Sequence, residues 1–212
     1  MANPKPLILF DIDKTMIDRE QLRILQRRTL AEALNCTEDE VANAFVEYYG
    51  GIDKTSDFNP DNFLSFLAKK FQFSLKKLTD IFFQPANFQQ VLYGDVVEVL
   101  SKLRNQDYPL GIYSQGNRRF QEHKLLANNL MKFFDKNHRY ISEAKMDPEI
   151  IADLPANTII IDDAPAVIAF LEKFPNVIPL HMVRDAEEKP TGKNTLSGLS
   201  DLLPLLDSLG DA

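Results

Sequence analysis

Short, uninterrupted apolar runs are the most regular feature of the chain. They lie at residues 7–10, 110–113, 158–161 and 177–180. Strands that are covered on both faces have this pattern, because no position alternates toward solvent. Helical patterns separate the later runs, at residues 94–106, 117–131 and 165–174. This alternation predicts an α/β fold: a three-layer, Rossmann-like core with a mainly parallel central sheet.

A helical block of a different kind lies between the first two runs. Its four helix starts are marked by capping residues, namely Asp18, Thr37, Asn59 and Ser74. Such residues bind the free backbone amides of a first helical turn. The block predicts an inserted α-helical cap domain at residues 16–90, and an α/β core domain made of residues 1–15 and 91–212. A polar loop is predicted at residues 185–200, before a terminal helix at residues 201–209.

Composition narrows the class of protein. The chain has 212 residues, of which 44% are hydrophobic and 26% are charged, as in globular proteins with a substantial core. A net charge of −7 argues against nucleic acid or an anionic membrane as partner. The sequence contains neither a signal-peptide pattern nor a membrane-length apolar stretch, so we expect a cytoplasmic protein. Its oligomeric state is left open between a monomer and a homodimer. Cys36 is the only cysteine, which excludes an internal disulfide.

Polar side chains follow the ends of three predicted strands. Asp11 and Asp13 follow the first, Ser114 and Gln115 follow the second, and a pair of aspartates follows the third. The carboxyl ends of parallel strands meet at one edge of a sheet, where ligands bind. We therefore expect these groups to converge, together with Lys145 from the segment before the third strand.

The chemistry of this set points to phosphate. Four carboxylates, those of Asp11, Asp13, Asp162 and Asp163, would repel one another unless a divalent cation lay among them, and oxygen ligands favour Mg²⁺. Mg²⁺ commonly takes a substrate phosphate as a further ligand. A lysine and a serine would then bind the remaining phosphate oxygens. One aspartate can attack while the other transfers a proton.

These segments resemble the four signature motifs of the haloacid dehalogenase superfamily of phosphohydrolases. Residues 10–15, FDIDKT, resemble the first motif, with Lys14 where glycine is commoner. The chain resembles the second motif at residues 113–116, the third at residues 145–150 and the fourth at residues 160–163. The helical block lies where members with a C1 cap carry theirs. Val167 departs from the pattern, since many relatives have a polar residue four positions after the last aspartate.

The resemblance implies a mechanism. Asp11 would be the nucleophile that forms an aspartyl-phosphate, and Asp13 would protonate the leaving alcohol and then activate water. Mg²⁺ would be held by Asp11, the backbone carbonyl of Asp13, and Asp163, with Asp162 binding the ion either directly or through another ligand; which of Asp162 and Asp163 binds it directly stays open. Dehalogenating relatives lack an acid at the position of Asp13. The implied function is a Mg²⁺-dependent phosphatase acting on a small phosphorylated metabolite.

Alternative functions stay open at this level. A phosphomutase would use the same aspartyl-phosphate, and a non-catalytic binding protein could keep the pocket without turnover. A receiver-type signalling module has its acid pair first and its phosphorylated aspartate later, and the order here is reversed. Lys54 and Arg118 are further candidates for substrate contacts, although a solvent-exposed position is the commoner role for such residues. The aromatic residues of the block, among them Phe45, are expected to form the core of the cap.

Overall fold

The computed structural model describes residues 5–51, 58–184 and 194–210. Six strands lie within these ranges: β1 (Ile8–Phe10), β2 (Leu110–Gln115), β3 (Arg139–Ser142), β4 (Thr158–Asp162), β5 (Val177–Met182) and β6 (Thr195–Leu196). The α-helices in the same ranges are α1 (Arg19–Leu34), α2 (Glu38–Tyr49), α3 (Pro60–Lys70), α4 (Leu75–Phe82), α5 (Val96–Asn105), α6 (Arg118–Ala127), α7 (Pro148–Ala152), α8 (Pro165–Leu171) and α9 (Leu202–Gly210). None of these helices has both the length and the apolar character that a membrane span requires.

The strands form one parallel sheet in the order β3-β2-β1-β4-β5-β6. The predicted α/β fold with a parallel central sheet is thus confirmed. The strand β1 is central, with β2 on one side and β4 on the other. Because the chain order reverses between β1 and β4, their carboxyl ends form the crevice in which α/β proteins of this topology bind ligands.

Hydrophobic packing on both faces of the sheet produces three layers. Alternate residues of β1 point to opposite faces: Ile8 and Phe10 join one buried cluster, and Leu9 joins another. Helices α5, α6 and α9 cover the first face, and α7 and α8 cover the second. Strands buried on both faces need continuous apolar runs, which explains why four of the strands were visible in the sequence.

Two strands, β3 and β6, were not predicted from the sequence. The strand β3 reads Arg-Tyr-Ile-Ser and lies at the sheet edge, where only Ile141 is fully buried. The strand β6 lies at the opposite edge and comprises only Thr195 and Leu196. A polar loop was predicted at residues 185–200, of which residues 185–193 lie outside the described residues. The prediction is wrong at two positions, because Thr195 pairs with His181 and Leu196 is buried.

The first four helices after β1, α1 to α4, begin where the sequence predicted. Asp18 accepts hydrogen bonds from two amides of α1, and Thr37 and Glu40 form a reciprocal capping box at α2. Asn59 and Ser74 cap α3 and α4. The helices pack on one another, α1 against α2 and α4, and α3 against α4. The division into a cap domain and a core domain stays a prediction.

Candidate active site

The chain turns sharply after β1. Asp11 continues the sheet ladder, with its backbone amide donating to the Ile161 carbonyl at 2.9 Å. Lys14 then adopts a left-handed conformation with φ 58°, and its amide donates to the Ile17 carbonyl at 2.7 Å. This turn leaves the side chains of Asp11 and Asp13 lining one cavity. The glycine preference at the position of Lys14 follows from this geometry, since glycine adopts positive φ without strain.

A buried lysine joins two carboxylates at the crevice. The Lys145 ammonium donates to Asp11 Oδ1 at 2.7 Å, and it also forms an ion pair with Asp162 Oδ2. The backbone of Lys145 is held by the Tyr113 hydroxyl, which donates to its carbonyl. Burial opposes the charge of Lys145, but attraction by the two carboxylates outweighs it and raises its pKa.

The Asp11 carboxyl is buried and strongly perturbed. Burial raises its pKa to about 6, and Lys145 offsets only part of that effect. Burial likewise raises the pKa of Asp163 to about 6, and the neighbouring charge of Asp11 adds to the shift. Two neighbouring carboxylates repel each other, so each is harder to ionise than usual. A bound cation or a proton would relieve this repulsion.

Two residues of α6 hold Asp13. The Lys124 ammonium donates to both Asp13 carboxylate oxygens at 2.7 Å, and the Gln121 amide donates to Oδ2 at 3.4 Å. Burial alone would raise the pKa of Asp13, but attraction and hydrogen bonding by Lys124, with a smaller contribution from Arg19, lower it below the ordinary value. Asp13 is therefore held as a carboxylate. Burial also lowers the pKa of Lys124, against the attraction of Asp13.

The two predicted phosphate-binding residues of β2 differ in surroundings. Ser114 is buried, and its hydroxyl lies 3.3 Å from the Gln121 amide, which also donates to the Gln115 carbonyl at 2.7 Å. The Gln115 side chain donates to the Glu143 carbonyl at 2.8 Å. Both residues line the cavity with Asp11 and Lys145. Their proposed role in holding phosphate stays a prediction.

The four aspartates lie around one cavity but do not form a ready cation cage. Among the described residues, no group of three or more histidine, cysteine, aspartate or glutamate side chains is arranged to hold a metal ion. Three of the four aspartates are instead held in ion pairs with lysines: Lys145 pairs with Asp11 and Asp162, and Lys124 pairs with Asp13. The donor set itself fits a hard divalent cation, because it consists of carboxylate oxygens, and a bound positive charge would favour the ionised forms of Asp11 and Asp163, whose pKa values burial raises.

Of the two candidate substrate residues, only Arg118 is among the described residues, and Lys54 lies outside them. Arg118 is exposed and is not one of the residues that line the cavity, and its contact with a substrate stays a prediction. Its guanidinium pairs with Glu122 at 3.3 Å and donates to the Ile141 carbonyl at 3.1 Å, because the first residue of α6 faces the end of β3. The neighbouring Arg119 pairs with Asp61 of α3 at 2.7 Å.

Several cavity residues were not predicted. Gln121 and Lys124 contribute from α6, and α1 contributes Arg19, Arg23 and Gln26. The available signal was the spacing of Gln121 and Lys124, which places two polar residues on the helix face that also carries Phe120 and Leu125. Polar residues on a buried helix face require partners. The aromatic residue Phe45 was expected to lie in the cap core, but it lines the cavity while stacking on Phe63.

The cavity has a volume of about 380 Å³ and lies between the sheet edge and the helices α1 and α2. Its lining includes the aspartates with Lys145 and Ser114, residues of α1, and the aromatic side chains of Phe45, Tyr49, Phe58 and Phe120. A chamber of this size accommodates a small metabolite.

A cavity at the crossover of a parallel sheet in this strand order is typical of Rossmann-like α/β proteins. Within that class, the family profile described as haloacid dehalogenase-like hydrolase matches residues 8–163. The chain belongs to the haloacid dehalogenase-like hydrolase family, and the resemblance seen in the sequence is confirmed. No curated protein matches the sequence.

Solved structures share the fold at low sequence identity. A HAD phosphatase from Thermococcus onnurineus is 20% identical, with a TM-score of 0.66 over 96% of this chain and 98% of that one. YfnB from Bacillus subtilis, a proposed HAD-hydrolase bound to magnesium, is 20% identical, with a TM-score of 0.67 over 97% and 100%. A defluorinating L-2-haloacid dehalogenase, Rha0230, is 12% identical, with a TM-score of 0.65 over 97% and 96%. These similarities establish the fold, and the reaction must be argued from the site.

Proposed function

We propose that the chain is a Mg²⁺-dependent phosphatase that hydrolyses a small phosphorylated metabolite through an aspartyl-phosphate on Asp11. The observation that carries the proposal is the shared cavity of Asp11 and Asp13, in which Asp13 is held by Lys124 and Gln121. Attack by a carboxylate on phosphorus needs a second group that transfers protons to the leaving oxygen and from water. A dehalogenase has no such requirement at this position.

In the first step, a carboxylate oxygen of Asp11 forms a bond to phosphorus as the bond to the leaving oxygen breaks. Lys145 orients Asp11 through its hydrogen bond, and its ammonium and the Ser114 hydroxyl, which line the same cavity, would bind phosphate oxygens. The leaving alkoxide takes a proton from Asp13. Although Lys124 lowers the pKa of Asp13 in the free protein, a bound phosphate dianion raises it again because like charges favour the protonated form.

In the second step, the Asp13 carboxylate accepts a proton from water, which attacks the phosphorus of the aspartyl-phosphate and regenerates Asp11. Lys124 stabilises Asp13 as the base in this half of the cycle. The residues that would hold Mg²⁺ are Asp11, Asp163, the backbone carbonyl of Asp13, and Asp162. The bound ion would neutralise the carboxylates and the phosphate, which allows two anions to approach each other.

Phosphate release from p-nitrophenyl phosphate, with and without Mg²⁺, tests this function. We expect Asp11→Asn to abolish turnover, and Asp13→Asn to lower it by about 10² to 10⁴-fold, the contribution of general acid–base catalysis. Asp107→Asn is a matched control, since Asp107 is exposed and far from the cavity residues, and its left-handed backbone tolerates asparagine. Full activity of Asp11→Asn would contradict the proposal. Product identification with sugar phosphates separates hydrolysis from phosphomutase activity.

A further inference from the structure

One face of α1 forms one wall of the cavity. Arg19, Leu22, Arg23 and Gln26 all line the cavity. Their spacing of three, four and seven residues places them on one side of the helix. The polar groups of this wall are two guanidinium groups and a side-chain amide. Apart from the four aspartates at the sheet edge, no acidic side chain lines the cavity within the described ranges.

Gln26 presents a buried donor without a partner. The residue is only 5% exposed, and its Nε2 atom has no hydrogen-bond partner among the described residues. A buried amide in this state destabilises the free protein, because its hydrogen bonds to water are lost without replacement. An acceptor on a bound molecule would satisfy it.

Arg19 adds an available positive charge to the same wall. It is half-buried, it lowers the pKa of Asp13 across the cavity, and it has no acidic partner in the part of the chain that the structure describes. Arg23 differs, since it pairs with Glu20 at the solvent side at 3.2 Å. The lysines that line the cavity are already engaged, Lys145 with Asp11 and Asp162, and Lys124 with Asp13. The positive charge of Arg19 on the α1 wall is therefore available to bind a ligand.

We propose that Arg19 and Gln26 bind a second anionic group, a carboxylate or a further phosphate, on the alcohol portion of the substrate. The inference deepens the proposed phosphatase function and rests on it. The aromatic side chains of Phe45, Phe58 and Phe120 line the same cavity, and their low polarity strengthens a charged hydrogen bond. The transferred phosphate belongs beside Asp11, Ser114 and Lys145, which are residues other than those of the α1 wall. The substrate is then a small phosphomonoester with two separated anionic groups.

Two matched substrate pairs test this inference. The first pair is 3-phosphoglycerate and glycerol 3-phosphate, which differ by a carboxylate, and the second is fructose 1,6-bisphosphate and fructose 6-phosphate, which differ by a phosphate. We expect kcat/KM to be at least tenfold higher for the doubly anionic member of one pair, and that pair identifies the second group. Arg19→Gln should remove this preference through KM, by about 10- to 100-fold, as expected for a hydrogen bond to a charged group.

Arg28→Gln is the matched control for Arg19→Gln. Arg28 lies on the same helix, pairs with Glu38 at the surface and does not line the cavity, so its substitution should leave the preference unchanged. Gln26→Leu should weaken binding of the same substrate member by up to about tenfold. It should leave the stability of the free protein unchanged or raise it, because the unpartnered donor is gone. A role of Gln26 in folding alone would give the opposite result, lower stability with unchanged KM.

Calorimetric binding to the Asp11→Asn protein separates failure of this inference from failure of the phosphatase proposal. Binding of 3-phosphoglycerate or fructose 1,6-bisphosphate at least tenfold tighter than of its partner would support the anion site even if no substrate were turned over. Equal affinities within both pairs would overturn it. So would an Arg19→Gln variant that loses activity equally on all four compounds and on p-nitrophenyl phosphate, since Arg19 would then bind the transferred phosphate.

Discussion

At the scale of single residues, Lys145 decides the charge balance of the cavity. It lies between Asp11 and Asp162, and all three side chains are almost fully buried. A buried carboxylate is tolerated only while a counter-charge compensates for its lost hydration. Two buried acids share one ammonium here, so Lys145 offsets only part of the burial that raises the pKa of Asp11, and the charge of Asp162 adds to the shift.

Substitution of Lys145 should therefore be costly. We expect Lys145→Met to lower the free energy of unfolding by about 3–5 kcal/mol at pH 7.5, because it leaves Asp11 and Asp162 buried without a partner. The loss should shrink at pH 5, where the carboxyls take up protons. Urea unfolding at the two pH values measures both effects. Lys102→Met is the control, since its pair with Glu98 is exposed and worth less than about 0.5 kcal/mol.

The raised pKa of Asp163 predicts a pH dependence of stability. The folded-state pKa of about 6 exceeds the ordinary 3.8, so the folded protein keeps a proton that the unfolded chain has released. The stabilising contribution is complete below about pH 4 and is lost as the pH rises through 6. As the pH rises from 4 to 7.5, the free energy of unfolding of Asp163→Asn should consequently increase by about 1–2 kcal/mol relative to that of the native protein. Both proteins are unfolded with urea in a buffer that contains a chelator. A constant difference across this range would contradict the assigned pKa.

At the scale of elements, the turn after β1 shows how local conformation serves the site. The strand is only three residues long, and the chain reverses within Asp13 to Ile17 so that both aspartates line the cavity. The reversal requires positive φ at Lys14, a conformation that costs about 1 kcal/mol or more for a residue with a β-carbon.

Lys14→Gly should relieve that strain. We expect the free energy of unfolding to rise by about 0.5–1 kcal/mol, less than the full strain because glycine also gains entropy in the unfolded chain. Thermal and urea unfolding measure the change. Lys14→Ala removes the same charge and keeps the β-carbon, so it should give no gain. If alanine stabilised as much as glycine, the charge of Lys14 and not its backbone would be responsible.

At the scale of the whole molecule, the sequence predicted the fold well where burial is complete. The strands β1, β2, β4 and β5 have continuous apolar runs because both of their faces are covered. The edge strands β3 and β6 have one partner each and less burial, so their sequences carry no comparable pattern. Helix starts were predictable from Asp18 and Thr37, because a capping interaction is local in sequence.

The candidate site was predictable in its position at the strand ends, and less so in its composition. Asp11, Ser114 and Lys145 occupy recognisable motifs. Lys124 and Gln26 do not, because their importance arises from tertiary contacts across more than a hundred residues or from a missing partner. Lys124 in particular changes the expected arrangement, since it holds the Asp13 carboxylate that was expected to help hold a cation.

Cation binding should be measurable as a property of the whole fold, because a ligand that binds only the folded state raises the free energy of global unfolding. At about a hundred times its dissociation constant, Mg²⁺ should add about 2.7 kcal/mol at pH 7.5. At pH 5 the increase should be smaller, since protons on Asp11 and Asp163, each with a pKa of about 6, compete with the ion. Asp163→Asn should abolish most of the increase and Asp107→Asn none of it, with NaCl of equal ionic strength as the reference. An equal response of Asp163→Asn and the native protein would place the ion elsewhere.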